Sequence, residues 1–128
     1  MRLLLDTHTF LWAVRGDPRL SAKATALILD PAHDKYVSPV SFWEIAIKIG
    51  KGKYALGEDF ETFMDREIVG NGFGIYPVTI AHAARVITLP NHHGDPFDRM
   101  LAAQSLTDGV PLISTDVIFD AYGLTRLW

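Results

Sequence analysis

Cysteine is absent from the chain, which excludes disulfides, zinc–thiolate centres and cysteine nucleophiles together and favours a reducing, cytoplasmic setting. Long apolar runs are also missing. None approaches the roughly 20 residues a membrane-spanning helix needs, so no membrane association is expected. The opening run Leu3-Leu4-Leu5, ended by Asp6, is too short for a secretion signal. Nor is there an excess of positive charge: 12 Lys and Arg stand against 15 Asp and Glu, a net charge of −3. Nucleic acid is therefore not drawn in by gross charge, and any such binding has to use a local patch or a bound cation. Internal repeats and low-complexity segments are lacking. What remains is 128 residues, 48% of them hydrophobic, which suits one domain over residues 1–128 with a single core. A chain of this size buries roughly two-thirds of its unfolded surface.

The periodicity alternates strand with helix. Short apolar strands are predicted at Arg2–Leu5, Lys35–Val37, Ile75–Val78, Val110–Ser114 and Leu124–Leu127. Between them, helical patterns run over Thr9–Val14, from Ser21 to Leu29, over Val40–Ile49, Glu58–Val69 and Thr79–Leu89, and over Phe97–Leu106. This alternation predicts an α/β fold, a mostly parallel central sheet flanked by helices in a three-layer sandwich. In such sheets ligands bind beyond the carboxyl ends of the strands.

Four acids fall on that rim. Asp6 and Asp116 each follow the last apolar residue of a strand, and Glu44 lies on the helix after the second strand. Asp98 sits in the stretch His92-His93-Gly94-Asp95-Pro96-Phe97-Asp98-Arg99, where Asp95 suits the N-cap and Pro96 the first helical position. Each acid has an ordinary structural explanation. Asp6 and Asp116 suit N-caps, Ser41-Phe42-Trp43-Glu44 matches a capping box with Lys48 one turn on, and Asp98 complements a helix dipole. Together they are harder to dismiss. Two carboxylates about 4 Å apart repel by ~4 kcal/mol at the effective dielectric of a protein surface, so a cluster of four calls for a cation. Oxygen ligands without thiolate favour Mg²⁺, with Mn²⁺ the alternative. An ion of this kind activates water and polarises a phosphoryl oxygen, which makes a phosphodiester the natural substrate.

Asp6 after the first strand, Glu44 in Trp-Glu-Ile-Ala, Asp98 in Asp-Pro-Phe-Asp-Arg and Asp116 in Leu-Ile-Ser-Thr-Asp together resemble the acid pattern of PIN-domain ribonucleases. The similarity is greatest to VapC-type toxins of toxin–antitoxin pairs and extends over nearly the whole chain. The resemblance implies a metal-dependent endoribonuclease that hydrolyses RNA phosphodiester bonds, a homodimer, and inhibition by a VapB-type antitoxin. It implies Asp6, Glu44, Asp98 and Asp116 as catalytic metal ligands. Thr7 and Ser114 are candidates to orient the acids, and Asp95 to position Asp98 as its cap. Arg99, Lys48 and Lys51 are candidates for substrate phosphate, with Lys53 completing a local basic patch.

Other features read plainly. Adjacent His92 and His93 cannot easily face one ion, so they are expected in a surface loop. Phe10, Trp12, Phe42 and Trp43 are expected mostly in the core, some of them lining a groove for an antitoxin helix. Two other function classes stay open: a phosphoacceptor receiver-like domain, whose second acid and strand-end lysine this chain does not supply, and a non-catalytic interaction domain on the PIN fold.

Overall fold

The three leucines of the first strand set the layering. In a computed structural model describing residues 1–128, β1 (Arg2–Leu5) is the centre of a five-stranded sheet, and Leu3, Leu4 and Leu5 are fully buried. Side chains alternate across a strand. Leu3 and Leu5 accordingly enter one apolar layer, with Phe10, Ile28, Ile45 and Phe63. Leu4 enters the other, with Leu101, Leu112, Phe119 and Tyr122. Burial on both faces is why this strand is a continuous apolar run.

The remaining elements follow in order: α1 (Thr7–Arg15), α2 (Ala22–Leu29), β2 (Asp34–Val37), α3 (Pro39–Gly50), α4 (Phe60–Gly70), β3 (Gly74–Ile75), α5 (Ile80–Thr88), α6 (Pro96–Asp108), β4 (Leu112–Ile113), a 3₁₀ helix (Val117–Tyr122) and β5 (Arg126–Leu127). The strand order is β3-β2-β1-β4-β5, and every pairing is parallel. The three-layer α/β architecture expected from the sequence is present, with the sheet wholly rather than mostly parallel. No helix is long and apolar enough to cross a membrane.

Helices α1 to α4 contribute to the layer holding Leu3 and Leu5, while α6 and the 3₁₀ helix contribute to the layer holding Leu4. The chain thus steps outward from β1 to β3 on one face, then crosses back to β4 beside β1. The strand order reverses between β1 and β4, where Leu5 pairs with Ile113, and the carboxyl ends beside such a reversal are where sheets of this kind bind ligands.

Several boundaries differ from the sequence reading. β3 stops at Ile75 instead of reaching Val78, because Pro77 has no N–H to continue the ladder. Its Gly74 is required by packing: a Cβ there would lie 2.7 Å from the Tyr36 ring. Helix α1 begins two residues early, since Asp6 caps it directly. The expected capping box at Ser41 and Glu44 does not form. Ser38 is the N-cap of α3, with Pro39 at the first position, which frees Ser41 and Glu44 for other bonds. The 3₁₀ helix has too few residues to show a periodicity and was not expected.

Trp43 is not in the core. It is 64% exposed and packs edge-on against Phe97 with ring centroids 5.2 Å apart. Phe10 is fully buried, and Trp12 and Phe42 are half-buried.

Candidate active site

The four rim acids fall in two separate groups: Asp6, Asp116 and Asp98, joined through Ser114 and His93, and Glu44, held by Thr7 and Lys48. Asp6 is buried at the end of β1. Its Oδ1 accepts from Thr9 N at 2.8 Å, capping α1, and its Oδ2 accepts from Ser114 Oγ at 2.5 Å. Ser114 Oγ also accepts from the backbone N–H of Asp116 at 3.0 Å, so one hydroxyl ties the ends of β1 and β4 together. Burial pushes the Asp6 carboxyl upward, and the bonds from Ser114 and Thr9 oppose that shift.

Thr7, the first residue of α1, turns inward. Its Oγ1 is 2.6 Å from Glu44 Oε1 and 2.9 Å from Ser41 Oγ. A hydroxyl has one proton, so Thr7 donates to the carboxylate and Ser41 donates to Thr7. The second oxygen of Glu44, Oε2, is 2.7 Å from Lys48 Nζ. Glu44 is buried and Lys48 is partly exposed. Lys48 therefore directs its charge at Glu44, one turn back on α3, and not outward as expected of a phosphate contact.

Asp95 caps α6: its Oδ1 accepts from Phe97 N at 2.8 Å and Asp98 N at 3.3 Å. This fixes the first turn that carries Asp98. Asp98 feels its neighbours strongly, and its carboxyl is pushed up to about 7, chiefly by burial and then by the charge of Asp95. The carboxylates of Glu44 and Asp6 add to the rise, while His93 opposes it. Asp116 caps the 3₁₀ helix through Oδ1, which accepts from Ile118 N at 3.0 Å.

Sequence reasoning missed His93. Its Nε2 lies 2.9 Å from Asp116 Oδ2 and 3.1 Å from Asp98 Oδ2. These three atoms all fall within 4.8 Å of one another, a spacing at which donors can share a cation. Of the adjacent histidines only His93 faces the acids. His92 turns away and packs edge-on against Tyr122, centroids 5.0 Å apart. The local contact that aims His93, from the Asp95 backbone N–H to Nδ1 at 3.2 Å, has no signature in residue type.

Arg99 does not point at the acids. Its guanidinium donates to Pro90 O at 2.9 Å and Leu89 O at 3.2 Å, holding the loop before α6. Lys51 and Lys53 are exposed at and just beyond the end of α3. The site can thus do two things chemically. It brings carboxylate oxygens of Asp98 and Asp116 within 4.8 Å of each other, and it pushes the Asp98 carboxyl up to about 7.

The fold is shared with VapBC and FitAcB proteins of known structure. The chain superposes on a VapBC2 protein from Rickettsia felis, bound to a DNA fragment from their promoter, with a TM-score of 0.75 and 14% identity, covering 99% of this chain and 98% of that one. For VapBC-1 from nontypeable Haemophilus influenzae the TM-score is 0.69 at 17% identity, covering 99% and 97%. For FitAcB from Neisseria gonorrhoeae it is 0.66 at 18% identity, covering 98% and 96%. No curated protein sequence matches the chain significantly. The family profile described as "PIN domain" matches residues 3–124, nearly the whole length, and the chain accordingly belongs to the PIN-domain family.

Proposed function

We propose that this protein is a metal-dependent endoribonuclease acting as the toxin of a VapBC-type toxin–antitoxin module. The observation that carries the reading is the meeting of Asp98 and Asp116, carboxylate oxygens of which lie within 4.8 Å of each other. Burial and the charge of Asp95, with Glu44 and Asp6 adding, push the Asp98 carboxyl up to about 7, as mutual repulsion among carboxylates does. A divalent cation relieves that repulsion, and an oxygen-rich donor set fits Mg²⁺ or Mn²⁺. Asp6, Glu44, Asp98 and Asp116 are the residues assigned to hold it.

When bound, such an ion polarises a phosphoryl oxygen and lowers the pKa of a water. The chain's own residues prepare the site for it. Thr7 fixes the rotamer of Glu44, Ser114 orients Asp6 against Asp116, and the Asp95 cap sets the turn carrying Asp98. Lys51, with Lys53, offers charge to the phosphate backbone of RNA from the exposed end of α3. Lys48 neutralises Glu44, and Arg99 keeps the loop before α6 in place.

The proposed partners are an RNA substrate, a VapB-type antitoxin and a second copy of this chain. The structural neighbours being VapBC and FitAB assemblies supports the antitoxin. For the second copy we assign the outward face of α5, where Ile80 and Ile87 are 90% and 85% exposed. They lie two turns apart on one helix, and Val78 and Trp43 line a groove nearby.

The test is cleavage of single-stranded RNA with Mg²⁺ or Mn²⁺, with and without EDTA, by wild type and Asp98→Asn. Cutting that needs the cation and is absent from the variant supports the nuclease. Undiminished cutting by the variant removes Asp98 from the site. Rapid labelling of Asp6 by a small phosphodonor favours a phosphoacceptor instead.

A further inference from the structure

We propose that His93 is a positioning residue of this site: its Nε2–H donates to Asp116 while its ring edge keeps Asp98 Oδ2 alongside at 3.1 Å, holding the two carboxylates at cation-binding spacing without itself binding the cation. The inference rests on the reading of the four acids as a metal centre.

Three contacts fix the imidazole. The backbone N–H of His93 donates to Tyr122 Oη at 2.8 Å. The ring packs on Phe119, with centroids 5.8 Å apart and planes at 39°. The backbone N–H of Asp95 donates to His93 Nδ1 at 3.2 Å. Phe119 and Tyr122 both belong to the 3₁₀ helix that Asp116 caps, so the loop carrying His93 is stapled to the element carrying Asp116.

The third contact decides the chemistry. Nδ1 accepts a hydrogen bond only when it carries no proton, and a neutral imidazole then has its proton on Nε2. That N–H donates to Asp116 Oδ2 at 2.9 Å, and Asp98 Oδ2 lies 3.1 Å from the same nitrogen. A cation held through Nε2 requires the opposite tautomer. The Nδ1 proton would then point at the Asp95 N–H, setting donor against donor. Asp95 thus acts twice: its side chain caps the helix bearing Asp98, and its main chain selects the tautomer of His93. The acid cluster keeps an all-oxygen donor set, and imidazole does not tilt it toward softer ions.

The experiment measures Mg²⁺ and Mn²⁺ affinity by calorimetry for wild type, His93→Ala and His93→Gln, and reads the His93 tautomer in the cation-free protein by ¹⁵N NMR. Glutamine keeps an N–H donor that can reach the same carboxylates. Alanine should weaken both ions by a similar factor, about 10- to 100-fold as for other residues that orient metal ligands. Glutamine should recover most of the loss, and the NMR pattern should place the proton on Nε2. Glutamine as weak as alanine, with a larger loss for Mn²⁺ than for Mg²⁺, would make His93 a ligand and overturn the proposal. So would a proton on Nδ1, or an alanine variant that binds as wild type does. If wild type binds neither ion, the metal-centre reading falls and takes this one with it. Failure confined to the His93 variants overturns only the role of His93.

Discussion

Replacing Asp98 with asparagine separates what the acid costs the fold from what it is proposed to do. The Asp98 carboxyl is raised from 3.8 to about 7, first by burial and then by Asp95, with Glu44 and Asp6 adding. At about 1.4 kcal/mol per pKa unit, ionising it in the folded state costs on the order of 4 kcal/mol more than in the unfolded chain. The folded value lies above the unfolded one. The stability linked to this group is therefore full below pH 4 and is lost as pH rises through about 7. Asparagine also forfeits a carboxylate in the first turn of α6, worth roughly 0.3–1 kcal/mol, which trims the gain without reversing it. At pH 8 in EDTA, Asp98→Asn should be more stable than wild type by about 3 kcal/mol, or roughly 10 °C in Tm for a chain of this length. At pH 5 the gap should narrow to less than half. Adding Mn²⁺ at pH 8 should then stabilise wild type far more than the variant. Calorimetric or circular-dichroism melts at the two pH values settle the matter. A variant no more stable than wild type at pH 8 without cation refutes the reasoning, as does a gap that fails to close on acidification.

Ser114→Ala removes the hydroxyl joining Asp6 to the Asp116 backbone. It should cost about 1 kcal/mol of stability but lower RNA cleavage by about 10- to 100-fold, and equal rates would make that bond a purely structural clamp. Leu4→Ala opens the layer beneath α6 and should cost about 2–5 kcal/mol in urea unfolding; a smaller loss would mean the layer collapses around the gap. Ile87→Asp should convert a sedimenting dimer to monomer, and a monomeric wild type would remove α5 as the face between copies.

Much of this was legible because the sequence signals were local. Ser21 before Ala24, Leu27 and Ile28 gave a helix start that the cap matches. Asp6 and Asp116 stand at the carboxyl ends of paired strands because a fully buried parallel strand leaves little else to follow its last apolar residue. Cross-chain chemistry was not legible. Lys48 and Glu44 one turn apart on α3 did announce their pairing, but nothing local showed Thr7 and Ser41 meeting them from α1 and the first turn of α3. The turn of His93 toward Asp116 depends on Tyr122, 29 residues away. Trp43 defied the rule that aromatics are buried because its partner, Phe97, sits on another helix at the surface.

The bond from Ser114 to Asp6 closes a loop of 108 residues. During synthesis β1 and α3 emerge early, yet the acids they carry meet those of the later elements only when β4 pairs beside Leu5. A polypeptide stalled or clipped ahead of Leu112 is left with its carboxylates unassembled, so truncation from the carboxyl side abolishes whatever this site does in one step and not by degrees.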